Sequence, residues 1–206
     1  IFFNYRGDRP REIVKAFVYP DEEFAQEPNG GFKRSVRPKD LFFATMANYE
    51  EGLPVAVIFE KPEKMPEIFG AYLAEHGLTQ FRSAETEKFP HVTFFFNDYR
   101  EPPFDHEDRG LAPSPKEVKT YDLKPEMSAY QVCEIVLREI AAGKHDVYIV
   151  NFANGDMVGH TGKLPAAIKA VEVVDECVGK IVDATLAKGG TLIVTADHGN
   201  CEQMWD

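Results

Sequence analysis

Residues Asp146-Val-Tyr-Ile-Val150, followed by Asn151-Phe-Ala-Asn-Gly-Asp-Met-Val-Gly-His160, decide the fold class of this chain. The first five residues form an apolar, β-branched run that is typical of a buried strand. A second run, Thr191-Leu-Ile-Val-Thr195, precedes Ala196-Asp-His-Gly-Asn200. Between the two runs, residues 164–188 predict one long helix, so this region predicts a β-α-β unit. Each run leads into one carboxylate and one imidazole, at the strand end where open α/β sheets bind ligands.

Farther from these segments, strands and helices continue to alternate, which favours a largely parallel sheet covered on both sides. We predict loops over 20–40 and over the proline-rich residues 97–126, the second as a surface excursion. The other predicted strands are 1–5, 41–48, 55–59, 79–83 and 92–96, and the other predicted helices are 11–17, 67–75 and 128–142.

Composition restricts the class of protein. The 206 residues are 44% hydrophobic, enough for a substantial core, and carry a net charge of −11. This charge argues against nucleic acid or an anionic membrane as the partner, and no apolar run approaches the ~20 residues that span a bilayer. Cys133, Cys177 and Cys201 lack metal-knuckle spacing, which suits a reducing compartment. Cys201 lies beside the second Asp/His segment, and a buried or incidental role is favoured over a reactive thiol.

Two Asp/His pairs are candidate metal ligands. Asp156 and His160 are four residues apart and share one side of a helical turn, whereas Asp197 and His198 are adjacent. Mixed Asp/His ligation suits Zn²⁺ or Mn²⁺; the alternative is that both aspartates only cap helices or turns. Two ions need at least ~4 donors each, so further ligands must come from elsewhere in the chain or from another part of the protein.

Three cationic residues are candidate anion ligands. Arg6 and Arg9 follow the first predicted strand, and the planar guanidinium group matches a phosphate or carboxylate bidentately. The alternative for both is a surface ion pair with Asp8 or Glu12. Lys88, judged by residue type alone, would be solvent-exposed.

Five stretches carry a family resemblance: Phe3–Arg9, Ala84–Asn97, Thr120–Ala129, Asn151–Gly162 and Thr195–Asn200. The chain resembles the cofactor-independent (2,3-bisphosphoglycerate-independent) phosphoglycerate mutases of the alkaline phosphatase-like superfamily. The Asp-His-Gly element is common to that superfamily, whereas the segments around Lys88 and Tyr121 are specific to these mutases.

The resemblance implies a three-layer α/β/α sandwich with a largely parallel sheet, incomplete in this chain. It also implies a centre of two Mn²⁺ ions, or Mg²⁺ in some members. Asp156 and His160 would bind one ion, and Asp197 and His198 would bind the other.

The resemblance further assigns an activity. Arg6 and Arg9 would hold the substrate phosphate, and Lys88 would lie at the transferring phosphoryl group. The family interconverts 3-phosphoglycerate and 2-phosphoglycerate through a phosphoserine enzyme, without 2,3-bisphosphoglycerate. The expected partner is this small-molecule substrate, with no nucleic acid and no membrane, in a cytoplasmic protein whose parent is monomeric.

Several family features are missing from the 206 residues. They are the nucleophilic serine, an N-terminal metal-binding aspartate, the inserted substrate domain and a final metal-binding histidine. Residues 1–206 are therefore expected to form part of the metal-binding domain and to be inactive alone. Asn97-Asp98-Tyr99 replaces the usual Asn-Gly-Gly. The alternative functions are a related metal-dependent phosphohydrolase and a non-catalytic remnant.

Overall fold

The computed structural model describes residues 1–6, 10–27, 31–36, 38–60 and 65–204. The chain divides into two compact units, residues 1–64 and 65–206. The interpretation of residues 1–206 as part of one metal-binding domain stays a prediction. Within the described ranges, no helix combines the length and apolar character needed to cross a membrane.

The first unit contains one pair of parallel strands. Its elements are α1 (Pro10–Val18), α2 (Asp21–Phe24), β1 (Ala44–Ala47) and β2 (Ala56–Phe59). The predicted helix and the predicted strands over 41–48 and 55–59 are confirmed. The predicted strand over 1–5 is reduced to one bridge between Phe2 and Thr45, and α2 lies inside the predicted loop 20–40.

The second unit is built on a three-stranded sheet in which every described pairing is parallel. Its strand order is β4-β3-β5, so β3 is central. The elements in chain order are α3 (Phe69–Glu75), β3 (Gln80–Glu85), α4 (Phe89–Val92), β4 (Glu107–Ala112), a short 3-10 turn (Tyr121–Leu123), α5 (Ala129–Ala142), β5 (Val147–Asn151), α6 (Asn154–Gly159) and α7 (Leu164–Ala187).

Helices cover both faces of this sheet. On one face, α5 and α7 form the core with buried Val132, Val136, Val173 and Cys177. On the other face, the Gln80 side chain donates a hydrogen bond to the carbonyl of Gly70 in α3, at 3.0 Å. The prediction of an α/β fold with parallel strands is therefore confirmed.

Two expectations around the aromatic segment are wrong. Residues 92–96 are not a strand: α4 ends at Val92 and turns follow. Proline stands in the first turn of α4, and the Thr93 hydroxyl donates to the Phe89 carbonyl at 2.7 Å. The predicted surface excursion 97–126 contains β4, whose polar sequence is Glu107-Asp-Arg-Gly-Leu-Ala112. This sequence lacks the apolar alternation that marks a strand. Backbone pairing to β3 makes it one.

The strand predicted over 191–195 is also wrong. These residues are not in a strand, and Ile193 and Val194 are 86% and 66% exposed. An apolar, β-branched run favours a strand only when a neighbouring strand supplies its hydrogen bonds. Among the described strands of this sheet, β5 pairs with β3 alone.

Asp98 and Tyr99, which replace the two glycines usual in the family, strain the backbone. Asp98 and Tyr99 have φ angles of 50° and 63°, in the left-handed region that glycine adopts without a steric penalty. Local contacts offset that penalty, because Asp98 Oδ2 accepts the Met65 amide at 3.1 Å and the Tyr99 ring packs edge-on against Phe94.

Close packing of the sheet against α5 requires a glycine in β4. A Cβ added at Gly110 would lie 2.6 Å from Phe81 Cζ and 2.8 Å from Ile135 Cγ2. We expect Gly110→Ala to lower the free energy of unfolding by about 1–3 kcal/mol, as overpacking does, measured by urea unfolding. Gly179→Ala is the matched control, because nothing lies within 4 Å of its added Cβ on α7 and alanine favours a helix by about 0.5–1 kcal/mol. Equal effects of the two substitutions would contradict the packing argument.

Candidate metal centre

The centre of the candidate site lies at the carboxyl ends of β3 and β5. These neighbouring strands are parallel and end at Glu85 and Asn151, so the segments that follow them meet at one edge of the sheet. Lys88 lies three residues beyond β3, and Asp156 lies in α6, five residues beyond β5. The topology thus brings together two residues that are 68 positions apart in sequence.

Lys88 and Asp156 form an ion pair that is largely removed from water. Lys88 Nζ lies 2.5 Å from Asp156 Oδ2, and the two side chains are only 6% and 17% exposed. Asp156 Oδ1 accepts a hydrogen bond from the side-chain amide of Asn200 at 2.9 Å, and His160 Nε2 lies 3.0 Å from the same oxygen. Both carboxylate oxygens of Asp156 are therefore engaged.

The electrostatics at Asp156 favour the charged carboxylate. Burial acts to raise the pKa of Asp156, but hydrogen bonds from Lys88 and Asn200 oppose it, helped by the charges of Lys88 and His160. Together they hold the pKa of Asp156 below its ordinary value. The carboxylate is thus kept in the ionised form that metal binding requires.

Asp197 and His198 lie close to Asp156 and His160, although the residues before them do not form a strand. His198 Nε2 lies 3.9 Å from Asp156 Oδ1 and 3.8 Å from Asp197 Oδ2. The structure therefore brings His160 and His198 to the same oxygen of Asp156, with Asp197 beside His198. The side chains of His160 and His198 are 71% and 49% exposed, so both rings are accessible from solvent.

The donors fit a divalent cation in type, but the described residues do not group into a set of metal ligands. Carboxylate and imidazole groups suit Mn²⁺ or Zn²⁺. Within the described part of the chain, no three His, Cys, Asp or Glu side chains form a set that could hold an ion. That a complete centre needs ligands beyond Asp156, His160, Asp197 and His198 stays a prediction.

A buried carboxylate that the sequence did not reveal fixes the end of β3, three residues before Lys88. Glu85, 1% exposed, accepts a 2.8 Å hydrogen bond from the Ser114 hydroxyl and one of 3.4 Å from the Ser128 amide. The Lys88 amide donates to the Glu85 carbonyl at 2.9 Å. Burial raises the pKa of Glu85, although the two serine hydrogen bonds act to lower it. No local sequence signal marks this cluster, since Ser114 lies 29 residues from Glu85.

The remaining candidates have simpler surroundings. Arg6 is an exposed residue of the first unit, and Arg9 lies outside the described residues, so the anion clamp stays a prediction. Cys201 is half-buried and its thiol donates to the Gly155 carbonyl at 2.8 Å. Burial, with the nearby charges of Glu202 and Asp156, raises the pKa of Cys201, which disfavours a reactive thiolate.

Comparisons with known proteins identify the family of the chain. The 2,3-bisphosphoglycerate-independent phosphoglycerate mutase of Rhodopirellula baltica is 66% identical over the whole chain, and that of Syntrophotalea carbinolica is 52% identical. The chain spans 38% of the length of each. A crystal structure of Leishmania mexicana phosphoglycerate mutase, studied at low cobalt concentration, superposes with a TM-score of 0.73 at 38% identity, over 95% of this chain and 34% of that one. The family model of the metalloenzyme superfamily matches residues 17–206. The chain belongs to the metalloenzyme superfamily.

Proposed function

We propose that this chain is part of a 2,3-bisphosphoglycerate-independent phosphoglycerate mutase, and that the whole protein interconverts 3-phosphoglycerate and 2-phosphoglycerate. The observation that carries the proposal is the buried Lys88–Asp156 pair with two histidines on its outer side. It combines a cation for a phosphoryl group with donors for a divalent ion. The identity of 66% with a curated mutase over all 206 residues supports the same reaction.

The metal ligands would be divided between the two Asp/His pairs. In the proposal, Asp156 and His160 hold one Mn²⁺ or Mg²⁺ ion, and Asp197 and His198 hold a second. When bound, such ions polarise a phosphoryl oxygen and stabilise the charge that develops during transfer. The remaining ligands would come from parts of the protein outside these residues.

The residues of this chain would bind and orient the substrate. The Lys88 ammonium has little contact with water, so its charge is poorly screened and acts strongly on a nearby phosphoryl oxygen. The ion pair with Asp156, a residue of α6, fixes the position of that ammonium. Arg6 and Arg9 would bind the phosphate of the glycerate through paired N–H donors.

In the proposal, the nucleophile of the covalent step lies outside these 206 residues. A serine elsewhere in the protein would accept the phosphoryl group. The bound glycerate would then reorient, and the phosphoryl group would leave the serine for the other hydroxyl. The proposed partner is this small anionic substrate alone, in a monomeric, cytoplasmic protein that binds neither nucleic acid nor membrane.

Assays of the full-length protein test this function. With Mn²⁺ and 3-phosphoglycerate, we expect 2-phosphoglycerate to form without added 2,3-bisphosphoglycerate, and a metal chelator to stop the reaction. The isolated 206-residue chain is expected to be inactive under the same conditions. Release of inorganic phosphate in place of 2-phosphoglycerate would identify a phosphohydrolase. Absence of both reactions and of Mn²⁺ binding would identify a non-catalytic remnant.

A further inference from the structure

Two consecutive residues fasten the second Asp/His segment to α6. The side-chain amide of Asn200 donates to Asp156 Oδ1 at 2.9 Å and lies 3.3 Å from the Asp156 carbonyl oxygen. The neighbouring Cys201 thiol donates to the Gly155 carbonyl at 2.8 Å. We call Asn200 and Cys201 the α6 clasp. It joins the segment that carries Asp197 and His198 directly to the helix that carries Asp156.

The last residue of α6 leaves room for this clasp. A Cβ added at Gly159 would collide with the Asn200 carboxamide and would lie 3.0 Å from Cys201 Sγ. The Gly159 position is helical, with no left-handed φ angle to explain a glycine there. Close approach of Asn200 therefore accounts for the missing side chain.

Asn200 is suited to orienting a carboxylate without neutralising it. Its amide is an uncharged donor, so it fixes Asp156 Oδ1 and leaves the negative charge available. Its second contact, with the backbone carbonyl of the same residue, couples the carboxylate to the helix axis. Lys88 already holds the other oxygen, Oδ2, so the Asn200 amide limits rotation of the carboxylate about that contact.

We propose that Asn200 is a positioning residue of the metal centre: it orients Asp156 and sets the register of Asp197 and His198 against it. The inference rests on the proposed function, since it assumes that Asp156 is a metal ligand. Residues that orient metal ligands typically contribute 10–100-fold to metal affinity or activity. Asn200 does so by hydrogen bonding alone, because it carries no charge.

Titration of full-length, metal-free protein with Mn²⁺, followed by calorimetry, tests the proposal. We expect Asn200→Ala and Asn200→Asp each to weaken Mn²⁺ binding by about 10–100-fold. Asn97→Ala is the matched control, because the amide of the buried Asn97 also donates to a carboxylate oxygen, Glu107 Oε2, at 2.7 Å. Glu107 begins β4, at the edge of the sheet opposite the metal centre, so this control should lower thermal stability and leave Mn²⁺ affinity unchanged.

A double-mutant cycle separates positioning from general loss of structure. Gly159→Ala should weaken Mn²⁺ binding as Asn200→Ala does, since its methyl group displaces the clasp. In the Asn200→Ala background, the further effect of Gly159→Ala should be less than half of its effect in wild type, because the carboxamide it collides with has gone. Full additivity, or Mn²⁺ affinity equal to that of wild type in Asn200→Ala, would overturn the proposal. Failure of the wild-type protein to bind Mn²⁺ would overturn the proposed metal centre itself.

Discussion

Asp156→Asn is expected to abolish the proposed mutase turnover of the full-length protein and to destabilise the metal-free protein by about 3 kcal/mol. The loss of turnover follows from removing a proposed metal ligand. The loss of stability has a separate cause. Lys88, 6% exposed, would keep an amide oxygen as acceptor but would lose its counter-charge. An unpaired buried ammonium is costly because little water reaches it.

Lys88→Met breaks the ion pair without removing a proposed metal ligand. It removes the ammonium and leaves Asp156 with the Asn200 amide, so it should also destabilise the metal-free protein and should abolish turnover. The double variant Lys88→Met/Asp156→Asn has no unpaired charge at this position. It should therefore lose less stability than the sum of the losses in the two single variants. The coupling energy should be about 1–3 kcal/mol, the range for residues in direct contact, measured by urea unfolding in the presence of a chelator.

An exposed ion pair provides the matched control. Lys180 Nζ lies 2.6 Å from Glu176 Oε1 on α7, with both side chains 50% exposed. Lys180→Met should leave the urea midpoint close to that of wild type, since solvent screens such pairs. If Lys88→Met behaves like Lys180→Met, burial of the Lys88–Asp156 pair does not contribute to stability.

The parts of the fold that the sequence predicts correctly are those with strong local signals. The apolar face of α5 and its end at Gly143, with φ of 63°, belong to one continuous segment. The run over 147–151 is likewise a strand by its own composition. The parts that the sequence does not predict depend on distant partners. The polar β4 becomes a strand by pairing with β3, and residues 191–195 are no strand where no described strand pairs with them.

The same distinction applies to the site. Asp156, His160, Asp197 and His198 are recognisable because each residue type is a metal ligand and each pair is close in sequence. Asn200 lies within a quoted motif, yet its contact with Asp156 spans 44 residues. Composition and spacing carry no information about such a hydrogen bond. It depends on how the segment after α7 lies against α6, where Asn200 bonds Asp156 and Cys201 bonds Gly155.

Glu85→Ala is expected to destabilise the protein by about 3 kcal/mol, because it combines a cavity with unsatisfied polar groups. The Ser114 hydroxyl and the Ser128 amide would both lose their acceptor inside the protein. Those two groups connect the end of β3, the loop after β4 and the start of α5. The Lys88 amide would keep its bond to the backbone carbonyl of residue 85, but the two serines would no longer fix that residue, so turnover should fall with stability. Urea unfolding and the mutase assay measure the two effects.

Glu85→Gln separates the charge of this residue from its shape. Burial raises the pKa of Glu85 above its ordinary value of 4.5, so the folded protein binds this proton more tightly than the unfolded chain. The associated stability is fully present below the unfolded pKa and is lost as pH rises through the folded pKa.

The neutral amide of glutamine, which has the same shape, has no such loss. Relative to wild type, Glu85→Gln should therefore gain stability as pH rises from about 4. Ser114→Ala removes a hydrogen bond that lowers this pKa, so its loss of stability should extend to higher pH than in wild type. A stability difference between wild type and Glu85→Gln that is constant with pH would show that the Glu85 carboxyl titrates alike in the folded and unfolded chains.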